Sequence, residues 1–116
     1  MSKIQNSKQY DLEERTFKFA RAIRDFIRDI PKTQTNIEYT KQLIRSSASI
    51  GANYIEANEA LSKKDFVMRI KISRKETKET IYWLSLIDVP EKEKQIYIQE
   101  ATELMKILSS IMRKSQ

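Results

Sequence analysis

The sequence predicts an all-α protein, an up-and-down antiparallel four-helix bundle, and three observations support this fold class. The 116 residues include one glycine and two prolines, too few for a sheet protein with many turns. Apolar residues recur at helical spacing in four segments of the chain. A hydrophobic content of 40% with 33% charged residues suits one bundle domain with a solvated exterior.

The first helix is predicted from about Asp11 to Ile30, and Pro31 ends it. Its apolar residues follow one another at steps of three, four and seven: Leu12, Phe19, Ala20, Ile23, Phe26, Ile27 and Ile30. Acidic and basic residues cancel along this segment, which predicts an ordinary solvated outer face. Residues 1–10 contain no apolar run, so we expect a flexible N-terminus without a signal peptide.

The second helix is predicted from about Asn36 to Leu61, with Thr35 or Asn36 as its N-cap. It carries two apolar stripes, whereas an outer helix of an isolated bundle needs only one. The first stripe comprises Tyr39, Leu43, Ile50, Tyr54, Ala57 and Leu61. The second stripe comprises Ile37, Ile44, Ala48 and Ile55. Ser47 and Gly51 lie between the stripes and form a groove that another backbone can approach closely.

The second stripe predicts a subunit interface, because a large apolar surface left in water promotes aggregation. The candidate interface residues are Ile37, Ile44, Ala48, Gly51, Ile55, Ile72 and Trp83. The alternative is that both stripes face the helix's own bundle. Three polar residues lie beside the stripes, namely Arg45, Asn53 and Glu56. They either find partners across a subunit boundary, where an unpaired charge would be costly, or point to solvent.

The third and fourth helices are predicted from their caps and stripes. Helix 3 follows Ser62, which forms a capping box with Asp65. Its core stripe comprises Phe66, Ile70, Ser73, Thr77, Thr80, Leu84 and Ile87, with Ile81 beside it. Helix 4 begins near Pro90 and frays after Arg113. Its stripe comprises Tyr97, Ala101, Leu104, Met105, Leu108, Ile111 and Met112.

The composition argues against an enzyme. The chain contains neither cysteine nor histidine, which removes thiolate chemistry, sulfur-ligated metals and the commonest general base. Glu76 with Glu79 and Glu100 with Glu103 have a spacing that suits Mg²⁺, but such pairs are common on helix surfaces and lysines flank them. We therefore predict no catalytic residue, no cofactor and no metal. No stretch approaches 18 apolar residues, so we expect a cytoplasmic protein without a membrane partner.

A basic face on the third helix is the candidate nucleic-acid site. The formal net charge is +6 and the sequence pI is about 9.5, which favours polyanionic partners. Residues 63–78 hold seven basic and two acidic residues. The candidate binding residues are Lys64, Lys71, Arg74, Lys75, Lys78 and Tyr82. Tyr82 either stacks on a base or packs on a neighbouring side chain. The alternative is a solvated face with Glu76 and Glu79 as local partners of the lysines.

Three runs in helices 2 and 3 resemble a known family. They are residues 45–57 (RSSASIGANYIEA), 62–66 (SKKDF) and 75–84 (KETKETIYWL). Together they resemble the four-helix-bundle proteins encoded in intervening sequences of 23S ribosomal RNA genes, to which the accessory variability proteins of diversity-generating retroelements are similar. Asn53 and Glu56 match the family pattern, whereas Ala57 stands where the family often has glycine.

The resemblance implies a pentameric, barrel-like homo-oligomer. In the retroelement branch it also implies a basic surface that binds RNA or DNA and a reverse-transcriptase partner. We therefore expect a non-enzymatic homo-oligomeric accessory protein that binds nucleic acid through its basic helix face. The alternative is a structural protein–protein interaction module with no role in nucleic-acid binding.

Overall fold

The computed structural model describes the backbone of residues 3–116 and the side chains from Leu12 onward. Four helices occupy it: α1 (Lys3–Arg28), α2 (Gln34–Asn58), α3 (Lys63–Leu86) and α4 (Glu91–Ser115). Each helix packs against its neighbours in chain order, and α4 returns to α1. The short connections make successive helices antiparallel. The predicted all-α, up-and-down four-helix bundle is confirmed, and none of the described helices is long and apolar enough to cross a membrane.

Several predicted helix ends were wrong. Helix α1 begins at Lys3 instead of Asp11, because residues 3–10 contain no helix breaker although they lack an apolar stripe. Met1 and Ser2 lie outside the described residues. Helix α2 ends at Asn58, so Leu61 lies in the following loop and is 99% exposed. Its predicted place in the first stripe was therefore wrong.

The caps explain where the helices start. The N-cap of α2 is Thr33, whose hydroxyl accepts a hydrogen bond from the Asn36 amide, so neither Thr35 nor Asn36 has that role. Ser62 caps α3 and accepts from the Asp65 amide, as predicted. Pro90 directly precedes α4, which continues through Ser115.

The core combines the predicted apolar stripes with a layer of small hydroxyl residues. Fully buried aliphatic side chains from all four helices form its centre: Ile23, Leu43, Ile50, Ile70, Leu84, Leu104 and Leu108. Between α2 and α3, the Ser73 hydroxyl donates to the Ile50 carbonyl at 2.7 Å, and the Thr80 hydroxyl donates to the Ser46 hydroxyl at 2.8 Å. These small side chains bring the two helices close together while their polar atoms stay satisfied.

Two buried polar side chains organise the loop end of the bundle. The Asn36 amide donates to the carbonyls of Pro31 and Asp88 and accepts from the Asp88 amide at 2.9 Å. It thereby joins the α1–α2 loop to the α3–α4 loop. The Lys94 ammonium, on a side chain that is almost fully buried, donates to the carbonyls of Ser85 and Ile87. It satisfies carbonyls that the end of α3 leaves without helical partners.

Candidate functional site

A row of lysines lies along the outer face of α3. Lys64, Lys71, Lys75 and Lys78 are exposed and fall within an arc of about 60° at 100° per residue. We call these four residues the lysine row. Among the residues whose side chains are described, none of the four forms a salt bridge. The row therefore presents four ammonium groups to solvent on the side of α3 that faces away from the core.

Two of the three acidic residues of α3, Glu76 and Glu79, point toward α2. Arg45 of α2 donates to Glu76 at 3.3 Å and to Glu79 at 3.1 Å. Glu76 is buried beneath this contact, with 7% of its surface exposed. The detail of the alternative that made Glu76 and Glu79 partners of the lysines is therefore wrong, because Arg45 binds both carboxylates at the α2–α3 seam. Arg45 therefore finds its partners within the same protomer and not across a subunit boundary.

The two arginines of this segment have partners on neighbouring helices. Arg69 donates to the side-chain oxygen of Asn53 at 3.3 Å, so Asn53 also finds its partner within the protomer. Arg74 is partly buried and points toward α4, where its guanidinium lies 3.5 Å from the sulfur of Met112. Arg74 is therefore set apart from the lysine row with which the sequence grouped it. Glu56, the third polar residue in question, is exposed.

Tyr82 lies at the end of the lysine row and is held by an aromatic cluster. Its ring is 59% exposed and meets Trp83 edge-on, with ring centroids 5.2 Å apart. Trp83 in turn lies beside Tyr39 of α2 at 6.1 Å. The indole nitrogen of Trp83 is buried and has no hydrogen-bond partner among the described residues. Edge-to-face contacts are a favoured arrangement of aromatic pairs, so Trp83 supports the Tyr82 ring while most of the Tyr82 surface stays exposed to solvent.

The second stripe of α2 is exposed on the protomer. Ile37, Ile44 and Ile55 are 40%, 44% and 47% exposed, and Ala48 is exposed as well. The alternative that both stripes face the same bundle is therefore wrong. Three exposed isoleucines on one helix face form an apolar surface that water covers in an isolated protomer.

Gly51 belongs to the inside of the bundle. A Cβ at this position would lie 2.8 Å from the hydroxyl oxygen of Thr16 and 3.2 Å from its Cβ. The close approach that Gly51 permits is thus that of α1 from the same protomer. The structure removes Gly51 from the candidate subunit interface, and the neighbouring Ser47 is buried with it.

The remaining interface candidates lie on two sides of α2. The second stripe lies about 20–60° beyond Gly51 at 100° per residue, on the side of α2 that faces α1. Ile72 and Trp83 are partly buried on α3, at the opposite α2–α3 seam that also holds Arg45. They therefore belong to a different surface.

Sequence reasoning missed Phe17 of α1, which is 61% exposed with Arg21 over its ring. It directly follows Thr16, the contact of Gly51, and adds an exposed aromatic ring to α1.

All four carboxylates of the two Glu-x-x-Glu pairs have basic partners. Glu76 and Glu79 bind Arg45, and both oxygens of Glu100 accept from Arg15 at 2.7 and 2.8 Å. Glu103 forms a surface ion pair with Lys106. Among the residues whose side chains are described, no group of three or more acidic residues has an arrangement that suits a metal ion.

An open groove of about 1150 Å³ separates α1 from α4. The contact between Arg15 and Glu100 crosses it, and the stacked rings of Phe26 and Tyr97 close one end with centroids 4.4 Å apart. Tyr54 lies on its floor, and burial raises the pKa of the Tyr54 hydroxyl above its ordinary value. The groove brings together apolar side chains and mutually paired charges.

Comparison with known proteins identifies the family. The model of the 23S rRNA-intervening sequence proteins matches residues 8–114. The chain belongs to this family. A crystal structure of a protein of unknown function from Bacteroides thetaiotaomicron, assigned to the S23 ribosomal protein family, is similar to it. That structure shares 32% sequence identity, covers 91% of this chain and 98% of its own, and superposes with a TM-score of 0.84. No protein with a curated function matches this intervening-sequence protein.

Proposed function

We propose that this intervening-sequence protein is a non-enzymatic homo-oligomeric accessory protein, of pentameric form, that binds RNA or DNA through the lysine row. The observation that carries the proposal is the division of charge at α3. Arg45 binds Glu76 and Glu79 at one seam, and the lysine row lies on the outer face. Unpaired ammonium groups in a row bind phosphates and release condensed counterions.

Repetition in an oligomer strengthens this argument. A single protomer offers few phosphate contacts, but several copies side by side multiply them over one surface. The exposed second stripe supplies the apolar area that self-association would cover. The proposal thus uses both surfaces that the structure leaves open, with distinct roles for each.

Charge reversal tests the binding surface. The variant that combines Lys64→Glu, Lys71→Glu, Lys75→Glu and Lys78→Glu is expected to lose RNA and DNA binding in fluorescence anisotropy. A control variant replaces four exposed lysines outside α3 with glutamate, namely Lys32, Lys41, Lys92 and Lys106. It changes the net charge by the same amount and should retain most of the binding. Wild-type affinity should fall steeply between about 50 and 200 mM salt. Equal losses in both variants would mean that overall charge matters and the lysine row does not.

Two substitutions test the assembly surface. Ile44→Glu places a charge within the second stripe and should shift the molar mass by light scattering toward that of the protomer. Trp83→Ala perturbs the α2–α3 seam and, since this seam is a separate surface, should leave the mass unchanged. A wild-type protein that stays folded and monomeric at all concentrations would refute the oligomer.

Genomic position distinguishes the two branches of the proposal. A neighbouring reverse-transcriptase gene with a template repeat would make a reverse transcriptase the protein partner. A location within a 23S ribosomal RNA gene would favour the intervening-sequence role. If the wild-type protein binds neither RNA nor DNA, the exposed second stripe favours a protein–protein interaction module instead.

A further inference from the structure

The outer face of α3 carries a second row of side chains beside the lysine row. Met68, Tyr82 and Leu86 are 51%, 59% and 38% exposed, although each is large and apolar or aromatic. Met68 and Leu86 lie about 20° beyond Lys75 at 100° per residue, whereas Tyr82 lies within the arc of the lysine row, one turn beyond Lys78. We call these three residues the apolar row. Cations and exposed apolar groups therefore run side by side along one helix.

This arrangement of cations beside apolar side chains suits an unpaired strand better than a duplex. A duplex presents phosphates and sugars on its outside and keeps its base faces stacked within. A bound duplex would place the apolar row against the charged sugar–phosphate backbone. Burial of apolar side chains there would contribute little to the binding free energy. An unpaired strand offers phosphates on one edge and free base faces on the other. Proteins that bind single strands combine a positive track with aromatic platforms in the same way.

The dimensions of the rows fit a strand that runs along the helix. Lys64 and Lys78 are fourteen positions apart, which corresponds to about 21 Å of helix rise. The arc of about 60° that the lysines occupy is narrow, so they follow one line and do not straddle a groove. No carboxylate falls within this 60° arc, and Glu79, about 40° beyond Lys75, is paired with Arg45. The row therefore matches one phosphate backbone.

Tyr82 is prepared for stacking. Trp83 supports its ring edge-on, with centroids 5.2 Å apart, and 59% of the Tyr82 surface is exposed to solvent. A base stacked there would lie at the end of the lysine row next to Lys78. Because the Tyr82 ring is already held in place, stacking loses less side-chain freedom than it would on an unsupported ring.

From these observations we infer that the α3 face binds unpaired RNA, with phosphates on the lysine row and bases on Met68, Tyr82 and Leu86. The inference rests on the proposed function and specifies its ligand. RNA is favoured over DNA because folded RNA exposes unpaired loops and bulges, which are the usual targets of RNA-binding proteins. Duplex binding and protein binding at this face are the competing outcomes.

Fluorescence anisotropy with three labelled probes tests the inference. The probes are an unstructured RNA of about 10 nucleotides, within the range of known single-strand sites, the same RNA paired with its complement, and the DNA strand of the same sequence. The unpaired RNA should bind the full-length protein about tenfold more tightly than the duplex. Equal or tighter duplex binding would overturn the inference while leaving the proposed function intact. Tighter binding of the DNA strand would overturn the choice of RNA.

Variants in the apolar row complete the test. Tyr82→Ala should weaken binding of unpaired RNA about tenfold without affecting the duplex, and Tyr82→Phe should restore it. Met68→Gln should weaken the same interaction, whereas the control Ile96→Ala, on an exposed site of α4, should not. Circular dichroism and light scattering verify fold and mass. A change in oligomer mass with Tyr82→Ala would mean that the face is a protein interface, and unchanged RNA affinity would also overturn the inference.

Discussion

Gly51→Ala tests the closest contact between α1 and α2. In a helix interior, replacing glycine with alanine stabilises by about 1 kcal/mol through backbone propensity. Here the new Cβ would lie 2.8 Å from the Thr16 hydroxyl oxygen, closer than atoms pack without displacement. The Thr16 hydroxyl shares its single proton between the carbonyls of Leu12 and Glu13, at 2.9 and 3.0 Å, so its oxygen moves only by losing this hydrogen bonding. Overpacking of this kind costs about 1–3 kcal/mol, and we expect a net loss near 1 kcal/mol.

A double-mutant cycle isolates the contact. The nearest backbone atom of Thr16 is 3.8 Å from the position that the new Cβ would occupy, so only the Thr16 side chain obstructs it. Thr16→Ala removes the hydroxyl at 2.8 Å but keeps the Cβ at 3.2 Å, so it should relieve most of the cost of Gly51→Ala, with a coupling energy of about 1–2 kcal/mol. Chemical denaturation of the four proteins measures this coupling. The control Ala52→Gly, on an exposed site of α2 outside the second stripe, should cost about 1 kcal/mol whichever residue occupies position 16.

The outcome separates two locations for Gly51. If it faced another subunit, as its place between the two stripes first indicated, its substitution would act through assembly. The loss of stability would then depend on protein concentration, and the coupling to Thr16 would vanish. A coupling below about 0.5 kcal/mol would therefore refute the packing described for α1 against α2.

Two further predictions concern buried polar groups. Asn36→Ala removes the hydrogen bonds that join the two loops and leaves the Asp88 amide without its acceptor. The midpoint of chemical denaturation should fall by the equivalent of about 2–3 kcal/mol, whereas a loss below about 0.5 kcal/mol would argue against the junction. Burial raises the pKa of Tyr54 from its ordinary value of 10.0, so folding favours the neutral phenol. The contribution of the Tyr54 phenol to the free energy of unfolding is complete below pH 10.0. It is lost as the pH rises through the folded-state pKa of Tyr54. In Tyr54→Phe the free energy of unfolding should fall less steeply over this pH range. Parallel curves of the free energy of unfolding against pH for the wild type and Tyr54→Phe would contradict the assignment.

The sequence was sufficient for the fold and for the core face of each helix. Ile23, Leu43, Ile70 and Leu104 lie where the helical period predicts, because one buried face per helix leaves a periodic pattern. The helix start at Lys3 could not be found in this way, since a polar helical segment has no such pattern. Helix ends depend on caps, and here one threonine among several acts as the cap.

Contacts between helices were beyond the reach of periodicity. The pairing of Arg45 with Glu76 and Glu79 depends on the register between α2 and α3, which the residues of either helix alone do not specify. The same limit applies to Gly51, because a small residue beside two apolar stripes is equally suited to an internal or an external neighbour. Phe17 was missed because it lies outside the main stripe of α1.

The separation of the two open surfaces leads to a last prediction. The second stripe faces the α1 side of α2, whereas the lysine row lies on α3, so assembly through the stripe would leave every lysine row free. Ile44→Glu should then leave the affinity for a short RNA unchanged while weakening a long RNA that bridges several protomers, by a factor of about 100 or more. Anisotropy with short and long probes measures both affinities, and Ala52→Ser on the exposed side of α2 serves as a control. If the short probe also loses affinity, the site spans a subunit boundary, because one protomer's lysine row would then be insufficient to bind even a single short strand.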